Sequence, residues 1–107
     1  MPTTSASGTE AVIVNTPSTL ATISTEGVFV LNIDTTNMVG GDDLEITVET
    51  KVLTGGTSRQ VYSAMYSNAQ SDAIKISVPV SSMFEYVAKI NQVSGTARSY
   101  AWSILGL

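Results

Sequence analysis

Residues 43–53, DLEITVETKVL, alternate apolar and polar side chains. Leu44, Ile46, Val48 and Val52 point one way in an extended chain, and Glu45, Thr47, Glu49 and Lys51 the other. That is the period of a strand with one dry face and one wet face. A helix would smear the charges round its girdle, and the β-branched residues disfavour it further. This segment commits the chain to a sheet, because a lone strand leaves its backbone donors and acceptors unpaired.

The rest of the sequence supplies partners. β-rich runs separated by turn residues occupy 11–15, 19–24, 27–34, 58–67, 73–80, 84–93 and 98–105. In 27–34 the unbroken apolar stretch from Val28 to Leu31 predicts burial on both faces. In 58–67, Gln60, Tyr62, Ala64 and Tyr66 share one face and Val61 and Met65 the other. In 73–80, Ile74, Ile76, Val78 and Val80 point inward, and Pro79 marks an edge or a strand end. Gly55-Gly56 predicts a hairpin with positive φ angles. Ser94-Gly95-Thr96 predicts a second hairpin, setting Phe84, Tyr86, Ala88 and Ile90 across from Tyr100, Trp102 and Ile104. Residues 83–91 also tolerate a short helix. About eight short antiparallel strands at spacings of roughly 10–14 residues read as an all-β fold, a jelly-roll-like or Ig-like β-sandwich. Residues 1–10, MPTTSASGTE, are small, polar and aperiodic. They read as a flexible N-terminal arm, with residues 11–107 as a single domain.

Composition narrows the function. Apolar residues make up 43% of 107, enough for a core, but a domain this small buries only about two-thirds of its unfolded surface. With no Cys and no His, disulfides and the common zinc and copper sites are excluded. Oligomerisation, or docking on a larger surface, is the remaining way to add stability. The net charge is −4, and Lys51, Arg59, Lys75, Lys89 and Arg98 do not cluster. No nucleic-acid partner is expected. No apolar run approaches the roughly 18 residues of a membrane helix, so no membrane partner is expected either. The first ten residues lack the features of a secretory signal, which points to synthesis and folding in a cytoplasm. Charged residues are only 13%. A surface of Ser, Thr, Asn, Gln and Gly desolvates cheaply, which suits a broad protein–protein contact.

Catalysis finds little support. Ser–His–Asp and Cys–His sets are impossible here, and no motif marks a Ser–Lys pair. Asp34, Asp42, Asp43 and Glu45 read as strand-end and turn residues. A weak Ca²⁺ site near Asp42 and Asp43 stays open, although the spacing matches no EF-hand loop. Gly40-Gly41 and Gly55-Gly56 lack the Lys and the helix of a phosphate loop. No catalytic residue, cofactor or metal ligand is assigned. Tyr62, Tyr66, Tyr86, Tyr100 and Trp102 belong either to core and interface packing or to a sugar platform.

Two segments carry a family resemblance. Lys51, Val52, Leu53, Gly55, Gly56, Thr57 and Arg59 form a K-V-L-x-G-G-T-x-R pattern, and Gln92, Gly95, Thr96, Arg98 and Trp102 form Q-x-x-G-T-x-R-x-x-x-W. The chain resembles small structural proteins of tailed bacteriophages, most of all capsid decoration (cement) proteins. The resemblance implies a non-enzymatic β-rich component of the virion on the capsid surface. It implies binding to the major capsid protein and to its own copies, as a homo-dimer or homo-trimer. Arg59, Tyr62, Tyr66, Arg98 and Trp102, with the N-terminal arm, are the candidate interface residues, and Arg98 is positioned to stack on or pair near Trp102. The alternative is a tail- or fibre-associated module that recognises a carbohydrate or host receptor through a solvent-facing aromatic patch.

Overall fold

The alternating segment is a strand, and its partners are strands as well. The structure, a computed structural model, describes residues 3–107. It contains β1 (Thr3–Ala11), β2 (Ser18–Ile23), β3 (Gly27–Asp34), β4 (Asp43–Thr50), β5 (Arg59–Ser67), β6 (Ile74–Ile76), β7 (Val80–Ser82), β8 (Tyr86–Ser94) and β9 (Ser99–Gly106). All pairings are antiparallel, and no helix occurs among the described residues.

One sheet runs β1-β9-β3-β6, with β7 also paired to β3; the other runs β2-β8-β4-β5. β6 lies beside residues 32–34 of β3 and β7 beside residues 27–29, so the two are halves of one broken strand. Counted that way, eight strand positions split four and four. β1 pairs with β9, β2 with β8, β3 with β6 and β7, and β4 with β5. This is the rolled-up pairing of a jelly roll, which selects that form of sandwich over the Ig-like one.

Alternation places the core between the sheets. From the five-stranded sheet come Phe29, Leu31, Ile33, Val80, Tyr100 and Ile104; from the other come Leu44, Ile46, Val48, Tyr86, Ala88 and Ile90. Phe29 and Tyr86 meet across the gap with ring centroids 5.2 Å apart, within the range of favourable aromatic pairs.

Several expectations are corrected. Residues 3–10 of the expected arm form most of β1, paired with β9 from Thr3↔Gly106 to Ala11↔Ser99; residues 1 and 2 lie outside the described residues. Ladder pairing needs only backbone, so a run of small polar residues can make a strand that shows no alternation. The run 11–15 is instead mostly loop, with Val12 buried as a plug. β8 and β9 do not pair with each other but lie in opposite sheets, so their aromatic residues face across the core. The chain between β6 and β7 shifts phase at Pro79. Lys75 and Ser77 therefore take the inner side, and Ile74, Ile76 and Val78 are exposed, while Val80 alone is buried as expected. Val52 lies beyond the end of β4 and is exposed. The β4–β5 hairpin forms, but neither Gly55 nor Gly56 has positive φ.

Each outer strand is interrupted. The register shifts at Thr4/Ala6 in β1 and at Thr19/Ala21 in β2, and the shift at Val48/Glu49 leaves Val61 of β5 unmatched. The fourth edge is the broken β6–β7 strand with Pro79. Bulges and breaks of this kind stop sheets from pairing edge to edge, which leaves faces and ends for contacts.

Candidate functional site

Four loops meet at one end of the sandwich, those after β1, β3, β5 and β8. Each holds one residue with positive φ: Asn15 (62°), Gly41 (92°), Asn68 (65°) and Gly95 (93°). Asp42, 1% exposed, is the post to which the loops after β3, β5 and β8 are tied. Its Oδ2 accepts bonds from the Val39 backbone N–H at 3.0 Å and from Arg98 Nε at 2.9 Å, and its Oδ1 from the Thr96 N–H at 3.1 Å. Burial pushes the Asp42 carboxyl up, but the bonds from Val39, Arg98 and Thr96 outweigh it and hold the pKa below the usual value. A Cβ at Gly95 would collide with Asp42 Oδ1, so glycine is required there by both space and φ.

Gln92, fully buried, ties the same end from below. Its Oε1 accepts from Tyr100 OH at 2.9 Å and from the Arg98 N–H at 3.3 Å; its Nε2 donates to the carbonyls of Ser94 and Thr96. The Asn15 N–H reaches the Gln92 carbonyl, the Asn68 N–H reaches that of Asp42, and Asn68 Oδ1 accepts from the Gly41 N–H. Gln92, Gly95, Thr96 and Arg98 of the second sequence pattern thus form a loop lock. Arg98 pairs with Asp42, not with Trp102. Both Asp42 oxygens are taken, Asp43 accepts from Ser94, and Asp34 accepts two bonds from Thr36. These acids do structural work, and among the described residues no three potential metal ligands cluster.

The five candidate interface residues do not form one exposed patch. Arg59 is exposed at the start of β5. Tyr62 and Tyr66 line up with Val48 and Leu44 on the inner face and pack, half-buried, against the core. Lys75 of β6 sits 5.0 Å from the Tyr66 ring centroid and closes the open side between the sheets. Trp102 is also an inner residue, beside Ile33, with its indole against Gly8 of β1; a Cβ there would lie 3.3 Å from the ring. Tyr86 and Tyr100 are fully buried. A sugar platform built from these five rings is therefore not present on either outer face.

What the sequence did not single out is the contrast between the two outer faces. Register gives the rows directly. On the five-stranded sheet, one row reads Thr9, Ala101, Asp34, Ile74 and the next Ser7, Ser103, Asn32, Ile76. Val30 and Leu105 continue the face. Asp34 is the one charge in these rows, and the Thr36 hydroxyl and backbone N–H hold its pKa below the usual carboxylate range. Ile74 and Ile76 are 55% and 61% exposed. The other sheet turns Asp43, Glu45, Glu49 and Lys89 outward, with Lys89 and Glu49 paired at 3.2 Å.

No protein family, curated protein or solved structure matches this chain.

Proposed function

We propose that this chain is a non-enzymatic structural protein of a tailed-phage virion. It binds the outside of the capsid and strengthens contacts between capsomers, and the outer face of the β1-β9-β3-β6 sheet is the face laid on the shell. The observation that carries this reading is the asymmetry of the two faces. One face has a single, already hydrogen-bonded carboxylate beside two exposed isoleucines, so it loses water cheaply; the other exposes Val61 and Met65 but sets four charged residues among them, and suits solvent. Depletion of charge with retained apolar side chains is what separates the centre of a protein interface from ordinary surface. A lattice-wide contact multiplies a modest site by copy number and needs no deep pocket. The resemblance in residues 51–59 and 92–102 supports the virion assignment. The jelly roll is an architecture that capsid and lectin domains both use, so it agrees with this reading without selecting it.

The test is rebinding of purified protein to particles stripped of it. Ser103→Arg places a cation in the middle of this low-charge face, in the row that lacks Asp34, and is expected to weaken binding by roughly tenfold or more. Thr47→Arg, on the outer face of the other sheet, should bind as the parent does. Equal behaviour of the two variants would reject the assignment of the face.

A further inference from the structure

The outer face of the β1-β9-β3-β6 sheet is not flat. Asn32 and Asp34 of β3 stand beside Ser103 and Ala101 of β9, and Ile74 of β6 stands on the far side of Asp34. Ala101 is the smallest side chain of its row, so the surface sinks next to Asp34. The result is a dimple of about 200 Å³ whose outward side chains are Asn32, Asp34, Ile74, Ala101 and Ser103.

Asp34 is its one charge, and half of that carboxylate is unspent. Oδ1 accepts both the Thr36 N–H and the Thr36 hydroxyl, while Oδ2 accepts no bond among the described residues. Asn32 donates its Nδ2–H to Ser103 Oγ at 3.5 Å, which leaves Asn32 Oδ1 free to accept. The bonds from Thr36 favour the charged form, so the carboxyl is ionised at neutral pH. None of the five cations of this chain serves it. Lys51 pairs with Glu85, Lys89 with Glu49 and Arg98 with Asp42. Lys75, next to Ile74 on β6, points to the other side of the sheet and sits over the Tyr66 ring. Arg59 begins β5, in the other sheet.

A face laid on a partner carries this charge out of water, and a desolvated charge is costly unless an opposite charge meets it. We propose that the dimple is a socket for one basic side chain of the shell protein, a lysine or arginine. Its aliphatic stem lies along Ile74, and its head reaches Asp34 Oδ2 and Asn32 Oδ1. This rests on the cement reading and names the chemistry of its partner: a shell surface low in charge, with one projecting basic residue for each bound copy. The pair also fixes position. Any shifted placement would bury Asp34 without a partner, so a single charge on a low-charge face specifies the register of docking.

The experiment is rebinding to stripped particles at low and high ionic strength, with thermal melts of each variant. Asp34→Asn keeps a side-chain oxygen for Thr36 and should melt like the parent, yet bind roughly tenfold or more weakly at low salt. Its binding should also depend less on salt than the parent's, because the screened pair is gone. Asp34→Lys should bind more weakly still. Ala101→Leu, at an exposed position, fills the dimple without changing charge and should weaken binding as well. Ile76→Asp, on the same face but outside the dimple, tests the face alone. If Ile76→Asp weakens binding while Asp34→Asn and Ala101→Leu bind as the parent does, the socket is overturned and the cement reading stands. Weak binding by Asp34→Asn with the parent's salt dependence would also overturn the socket. A parent that does not rebind would overturn both.

Discussion

Replacing Asp42 by alanine should disable the lock between the loops after β3 and β8. The carboxylate is 1% exposed and accepts three hydrogen bonds, one from a guanidinium. Removal strands the N–H groups of Val39 and Thr96 and leaves Arg98 without its partner. Bonds to a charged group are worth about 1.5–3 kcal/mol each, and losing one partner of a buried pair costs about 3–5 kcal/mol in all. Arg98 is 27% exposed and stays partly hydrated, so the low end applies, about 3 kcal/mol. For a domain of this size that lowers Tm by roughly 12–24 °C, at about 4–8 °C per kcal/mol. Calorimetry at neutral pH measures it. The pH dependence gives a second readout on the same variant. The folded carboxyl has its pKa below the ordinary value of 3.8. Its contribution is complete above the unfolded pKa and is lost as pH falls through the folded one. The parent should therefore lose this share of stability only in strongly acidic solution, and the variant should lack that part of the acid transition. A Tm change of only a few degrees, or an unchanged acid transition, would refute the lock.

Gly95→Ala should be as damaging as the loss of Asp42, because the new Cβ meets Oδ1 of Asp42 and φ is +93°; a melt within a few degrees of the parent would contradict the geometry. Deleting residues 1–10 removes β1 and bares the inner edge strand β9, so a lower Tm and concentration-dependent aggregation are expected, whereas an unchanged monomer would show that β1 adds nothing. Burial raises the phenol of Tyr86, and burial with the nearby Asp42 charge raises that of Tyr100, each to about 12. Stability should thus be intact below the unfolded value near 10 and fall as pH climbs toward 12. An ultraviolet titration showing all four tyrosines ionising together near 10 would contradict this.

The architecture was legible wherever alternation met a buried face. Residues 43–50 and 86–90, and Tyr100, Trp102 and Ile104, point as their spacing predicts, because there a slip of one residue would turn a whole apolar set into water. Legibility failed where pairing is carried by backbone alone. β1 has no apolar row because its side chains are small and mostly exposed at a sheet margin, so its residues 3–10 read as part of an arm. It failed again at β6, where Pro79 shifts the phase and the exposed face of a three-residue edge strand carries the isoleucines. A local turn signal was also misleading at Ser94–Thr96: turn residues announce a reversal, not which sheet receives the returning strand.

The site was less legible than the fold. Gln92, Gly95, Thr96 and Arg98 stand out as a set in the sequence, yet the carboxylate that Thr96 and Arg98 bond is Asp42, more than fifty residues from both, and an aspartate after two glycines reads as a turn. The tyrosines were assigned to a face correctly, but which side of that face holds the core depends on the opposite sheet. The rows of the β1-β9-β3-β6 face, with Asp34 as their one charge, join four segments distant in sequence and exist only once register is known.

The central claim, that this protein clads a capsid, is tested most directly by its copy number. Quantitative mass spectrometry of purified virus particles gives it relative to the major capsid protein. A ratio near one copy per capsid subunit, or a simple fraction of it, is the predicted result. A handful of copies per particle would move the protein to the tail or portal, and its absence from particles would contradict the account outright.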